Sequence, residues 1–145
     1  MPPKSKRVAR RPARAGVPVL AKSAITAFLA TANAKRCKAF YARALGLRFV
    51  SEDEFALVFD AAGVPLRIQK LAAVHPHPFT SLGWQVRGIG SVVAALAKRG
   101  VTFERYAFLK QDKRGVWLAP SGTSVAWFKD PDGNLLSLSD SGDAT

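Results

Sequence analysis

Apolar residues recur along the chain at two spacings, every second position or every third to fourth, and the order of the two spacings predicts the elements. "AITAFLAT" (24–31) alternates and is read as a strand. Asn33 then caps a helix over "AKRCKAFYARAL" (34–45), which Gly46 ends. Three short strands follow: "LRFVSE" (47–52), "FALVFD" (55–60) and "VPLRIQKL" (64–71). After the loop "AAVHPHPFT" (72–80) the order recurs, with "SLGWQV" (81–86) as a strand and "SVVAALAKR" (91–99) as a helix stopped by Gly100. "VTFERYAF" (101–108) is expected as a strand, and "SVAWFKD" (124–130) with "LLSLSD" (135–140) as a closing hairpin. In the last strand Leu136 and Leu138 face one side, and Leu135, Ser137 and Ser139 the other. Leucines opposite small hydroxyls predict one packed face and one emptier face.

The recurrence is a repeat. "ALGLRF" ending at Phe49 matches "KRGVTF" ending at Phe103, and "FDAAGVPLRI" matches "KDPDGNLLSL" through Asp60 with Asp130 and Gly63 with Gly133. The offset grows from 54 to 70 between the two matches, which places a longer connection between Phe103 and Ser124. Duplication of a βαβββ unit is the simplest account.

Composition narrows the class. With 145 residues, 48% hydrophobic and 22% charged, the sequence is that of one globular domain, and no apolar run is long enough for a membrane helix. The single cysteine, Cys37, excludes an internal disulfide and a cysteine-based zinc cage. A cytoplasmic protein is expected. Of the net charge of +12, seven charges lie in residues 1–22, which carry Lys4, Lys6, Arg7, Arg10, Arg11, Arg14 and Lys22 and no acid. The first fifteen residues lack apolar periodicity, so a disordered tail is expected. It has no apolar stretch fit for a secretory signal. Nucleic acid is a conceivable partner only through that tail, because the domain is read as lacking a helix rich in Lys and Arg.

"CKAFYARALGL" in the first unit and "VAWFKDPDGNLLSL" in the second, within a duplicated βαβββ pattern, resemble the vicinal oxygen chelate superfamily of glyoxalases, bleomycin and fosfomycin resistance proteins and extradiol dioxygenases. The resemblance spans Ile25 to Asp140. It implies an α+β domain over 23–140, with module one (24–70) and module two (81–139) curling their sheets round a shared cup, between the basic tail 1–22 and a C-terminal tail 141–145. It also implies a homodimer.

Metal-dependent members of that family carry His or Gln, Glu, His and Glu on the first and last strand of each module. The matching positions here are Thr26, Arg67, Ser81 and Ser137, with Gln69 on the face of Arg67. Three hydroxyls and a guanidinium do not suit a divalent metal. No metal, cofactor or catalytic residue is therefore expected. His75 and His77, in "HPHP", are read as part of a polar connector. Alternation adds Phe28 and Gln85 to the cup, a hairpin pairing Asp130 with Asn134 adds Trp127 opposite Ser137, and the repeat adds Leu57 beside Arg67. Trp84 is assigned to the core, and Trp117, in the longer connection, to a rim or lid. The combination predicts a pocket for a small organic ligand, anionic or oxygen-rich rather than cationic. The alternative is a glyoxalase-type lyase or isomerase.

Overall fold

The computed structural model describes residues 16–142, so the expected disorder of the first fifteen residues and the end of the C-terminal tail lie outside it. Exposed turns lead to β1 (Ala27–Thr31). The Asn33 side chain accepts the Arg36 N–H at 3.1 Å and starts α1 (Ala34–Ala39). The expected single α-helix widens after Ala39 into a π-helical turn over Phe40–Ala44, and Gly46 with φ of 76° ends it. Strands β2 (Arg48–Glu52), β3 (Ala56–Ala61) and β4 (Val64–Lys70) complete a first sheet of order β1-β4-β3-β2, with β1 parallel to β4.

The second half repeats this topology. Strand β5 (Leu82–Gln85), helix α2 (Ile89–Lys98), and strands β6 (Trp117–Leu118), β7 (Ser124–Lys129) and β8 (Leu135–Asp140) give a second sheet, β5-β8-β7-β6, with β5 parallel to β8. The two βαβββ modules match those expected.

One expected strand does not form. Residues 101–108 contribute only a bridge from Phe103 to Phe128 and a bond from the Glu104 N–H to the Trp127 carbonyl at 2.8 Å. Pairing along β7 then resumes with Trp117 opposite Val125. The outer strand is thus split by an excursion of residues 105–116, which is the longer connection foreseen from the repeat offset. Gln111 closes its neck by donating to the Glu104 and Gly115 carbonyls and accepting the Tyr106 N–H, all within 2.9 Å.

Alternation sorts each sheet into two faces. Leu29, Leu57, Phe59, Leu66 and Ile68 of the first sheet and Phe128, Leu136 and Leu138 of the second are buried against Cys37 and Tyr41 of the first helical segment and Val93 and Leu96 of α2. Aromatic rings link the modules, from Phe59 through Tyr41 and Phe40 to Phe128, with centroids 5.2 to 6.4 Å apart. Trp84 packs against this core, as expected. The "DPDGN" turn fastens the modules together. Buried Asp130 accepts the Tyr41 hydroxyl at 2.7 Å and the Asn134 amide at 2.8 Å. Asp132 accepts the Thr31 hydroxyl and the Ala32 N–H, and Asn134 donates to the Ala30 carbonyl. Burial raises the Asp130 carboxyl above its usual range against the pull of these bonds. Asp130 is therefore more than the turn residue its position in sequence suggests.

Candidate functional site: two clefts on the faces turned away from the core

Opposite the buried face, the first sheet carries a row running from Ser51 on β2 through Val58 on β3 and Arg67 on β4 to Phe28 on β1. The next row holds Ala56, Gln69 and Ala30. In the second sheet the corresponding row is Trp127 on β7, Ser137 on β8 and Gly83 on β5, with Gln85 beside Ser139 one row on. Thr26 and Ser81 each stand two residues before the strand residue opposite Arg67 and Ser137 respectively, both exposed.

Leu57 does not belong to this face. It pairs with Ile68, is 0% exposed and lies in the core, while Val58 takes the place beside Arg67. The cause is one residue in a turn. Ala61 pairs with Val64 across two loop residues, whereas Asp130 bonds Asn134 across three, so a constant repeat offset misses the register of β3 by one.

The connector between modules, residues 71–80, divides the emptier face into two clefts. The first, about 400 Å³, unites Phe28, Ala30 and Gln69 of the first sheet with Ser81 and Asn134 of the second module, and the connector adds Val74, His75, Pro76 and His77. The histidines, read from sequence as a plain polar connector, thus reach the wall of a cleft. Only the path of the connector across the sheets reveals this. His77 stacks on Phe79 at 4.8 Å.

The second cleft, about 390 Å³, lies over the second sheet. Trp127 and Leu135 line it from the strands, Trp117 from the resumed outer strand, Tyr106, Phe108 and Leu109 from the excursion, and Phe79 from the connector. Tyr106 meets Trp127 edge-on at 5.5 Å, and Trp117 lies 6.0 Å from Trp127. Burial raises the Tyr106 hydroxyl above its usual range, helped by Glu104, so it stays protonated and a donor. Alternation in residues 101–108 predicts a strand and gives no sign that Tyr106 and Phe108 reach a cleft; the excursion brings them there.

The structure therefore joins Phe28, Gln69 and Ser81 in one cleft, Trp117 and Trp127 in the other, and sets Ser137 beside Trp127. Arg67, Thr26, Gln85 and Ser137 line neither cleft. Half-buried Arg67 has a carboxylate within electrostatic reach. The Phe55 and Ala56 amides, with a smaller effect of the Arg67 guanidinium, hold Asp53 below the usual carboxylate range.

Known structures share this architecture. A glyoxalase/bleomycin resistance protein/dioxygenase from Nocardioides aligns with a TM-score of 0.66 at 16% identity, over 93% of this chain and 93% of that one. The chain has the vicinal oxygen chelate fold. Lactoylglutathione lyase from Agrobacterium tumefaciens (TM-score 0.63, 16% identity, 81% of this chain and 93% of that one) has the same fold. So does a fosfomycin resistance protein from Listeria monocytogenes (0.63, 13%, 80% and 90%). No protein-family model and no curated protein matches the sequence.

Members of a vicinal oxygen chelate family that use a metal need a set of imidazole and carboxylate donors, and the residues here do not fit one. The side chains expected at those positions from the resemblance, Thr26, Arg67, Ser81 and Ser137, are three hydroxyls and a guanidinium, which cannot be deprotonated to make room for a cation. Among the described residues no three side chains of His, Cys, Asp or Glu gather at one point. Cys37 offers no nucleophile: burial pushes its thiol up to about 12. No described helix is long and apolar enough to cross a membrane.

Proposed function

We propose that this protein binds a small organic molecule on the faces turned away from the core, without a metal, and that the ligand is flat and anionic or oxygen-rich. The observation that carries this is the open aromatic cleft over the second sheet, where Trp117, Trp127 and Tyr106 stand on the same side as Ser137. Aromatic walls hold a planar ligand by stacking, while hydroxyls and amides fix its orientation. Arg67 is the candidate anchor for a carboxylate or phosphate from the first sheet, with Phe28 as its neighbour on β1. The excess of positive charge in the chain disfavours a cationic ligand.

A homodimer is part of the proposal. Phe28, Phe79, Phe108 and Leu118 are 55%, 58%, 82% and 66% exposed, and a second copy over these faces would cover them and enclose the ligand. A cytoplasmic setting completes it. One observation favours a second reading, a metal-independent lyase or isomerase: His75 and His77 in the wall of the first cleft supply the acid–base group that the strand positions lack.

A thermal-shift screen comparing aromatic carboxylates and phosphates with the matching amines tests the proposal, since a ligand at a hundred times its Kd stabilises by about 2.7 kcal/mol. The acids are expected to stabilise. Arg67→Ala then weakens binding by about 1.5–3 kcal/mol, Trp127→Ala weakens it too, and binding changes the tryptophan emission. Stabilisation by amines alone, or an Arg67→Ala variant that binds undiminished, refutes the ligand class. Turnover that disappears in His75→Ala or His77→Ala decides for the enzyme.

A further inference from the structure

The positive charge of the folded chain is concentrated on its helices. The first helical segment carries Lys35, Arg36, Lys38 and Arg43, and the end of α2 carries Lys98 and Arg99, without one acidic residue in either. Apart from these six and the seven cations of residues 1–22, the sequence holds nine cations against ten carboxylates. The whole excess of the domain therefore belongs to the helical side, away from both clefts. The sequence-based statement that no helix is rich in Lys and Arg fails at α1.

All six side chains are exposed. The ion pairs found among the described residues use Arg48, Lys70 and Lys129, and none of these six. The two helix ends meet: Arg99 donates to the Ala44 carbonyl at 3.3 Å, and Ala39, Phe40, Arg43, Ala44 and Arg99 line a shallow groove. Lys35 lies one turn before Ala39, on the stripe that continues to Arg43. Lys38 leans the other way, over the Phe49 ring at 4.1 Å. Cations at helix C-termini offset the helix dipole, which accounts for Arg43, Lys98 and Arg99 one by one. It does not account for Lys35 and Arg36 in the first turn of α1, where the dipole disfavours them.

We infer that this helical face is a docking surface for the phosphate backbone of duplex nucleic acid, read without sequence preference. Regularly spaced phosphates are the anion that a row of exposed, uncompensated cations matches, and the one aromatic ring in the groove, Phe40, is half-buried and packed against Tyr41 and Phe128 rather than free to stack on bases. The seven cations that precede Ser23 have the same sign and add to the attraction. The surface is separate from the clefts, so small-molecule binding and nucleic-acid docking stand or fall independently.

The test is fluorescence anisotropy of the full chain with a labelled mixed-sequence DNA duplex of about 20 base pairs, at several salt concentrations, since each neutralised phosphate contributes about −0.9 to the slope of log K against log salt. The full chain is expected to bind. Lys35→Gln, Arg36→Gln and Arg43→Gln together reduce the slope by about 2–3, with an unchanged melting midpoint, and Lys110→Gln with Lys113→Gln on the excursion leaves it as it was. If the triple variant fails to fold, Lys35→Gln with Arg36→Gln on the exposed first turn carries the same test, with a loss of about 2. Absence of DNA binding, an unchanged slope in the folded helix variants, an equal loss in the excursion control, or binding to anionic phospholipid vesicles without binding to DNA would each overturn the inference.

Discussion

Ser137 is small because of what stands beside it. A Cβ built on Gly83, its neighbour on β5, would come within 2.6 Å of the Ser137 Oγ and 3.3 Å of its carbonyl. The Gly83–Ser137–Trp127 row thus trades bulk along three strands, two small residues leaving space for one indole. Gly83→Ala is expected to cost about 1–3 kcal/mol by overpacking, measured by urea unfolding, and to cost less in a Ser137→Gly background; equal costs in both would show that the contact is not the cause. Tyr41 and Asp130 make the other decisive pair. Tyr41→Phe leaves the buried carboxylate without its 2.7 Å donor and should destabilise by about 1.5–3 kcal/mol. A Tyr41→Phe protein as stable as the parent would remove the latch between modules from the account. Neither pair was legible as such, because their members lie 54 and 89 positions apart in sequence.

Elements were read more surely than their edges. Among the described residues, alternation and caps located seven of the eight strands and both helices, since those signals are local. They missed the split outer strand because "VTFERYAF" alternates well enough to pass for a strand, while the interruption is fixed by Gln111 bonding across the neck of the excursion. The start of α2 was likewise hidden. Gly88 has no side chain to cap it, and Asp140, from the end of β8, accepts the Ile89 N–H at 3.1 Å instead. The Gly142 and Ile89 amides hold the Asp140 carboxyl below the usual carboxylate range. A carboxyl whose folded pKa is depressed adds stability above its unfolded pKa, about 4, and loses it as pH falls through the folded value. Melting followed from pH 7 downward should therefore show a shallower acid-side decline for Asp140→Asn than for the parent. Parallel declines would mean that the cap carries no pH-dependent stability.

At the scale of the whole molecule, duplication does most of the positioning. One βαβββ pattern, used twice, puts both helices on one side and leaves two sheet faces for clefts, which is why the fold could be read from a repeat and two short motifs. Cleft composition was harder to read, because residues from the connector and the excursion enter it from outside the strand pattern, and the β3–β4 turn, one residue shorter than its counterpart in the second module, sets Leu57 in the core. The proposal of metal-free binding rests on the side chains at four positions, Thr26, Arg67, Ser81 and Ser137, which offer three hydroxyls and a guanidinium. The most direct measurement is elemental analysis of the purified full chain after exhaustive dialysis. Metal-free binding predicts Zn, Ni, Mn and Fe all far below one per chain, and about one equivalent of any of them retained on the protein would contradict it.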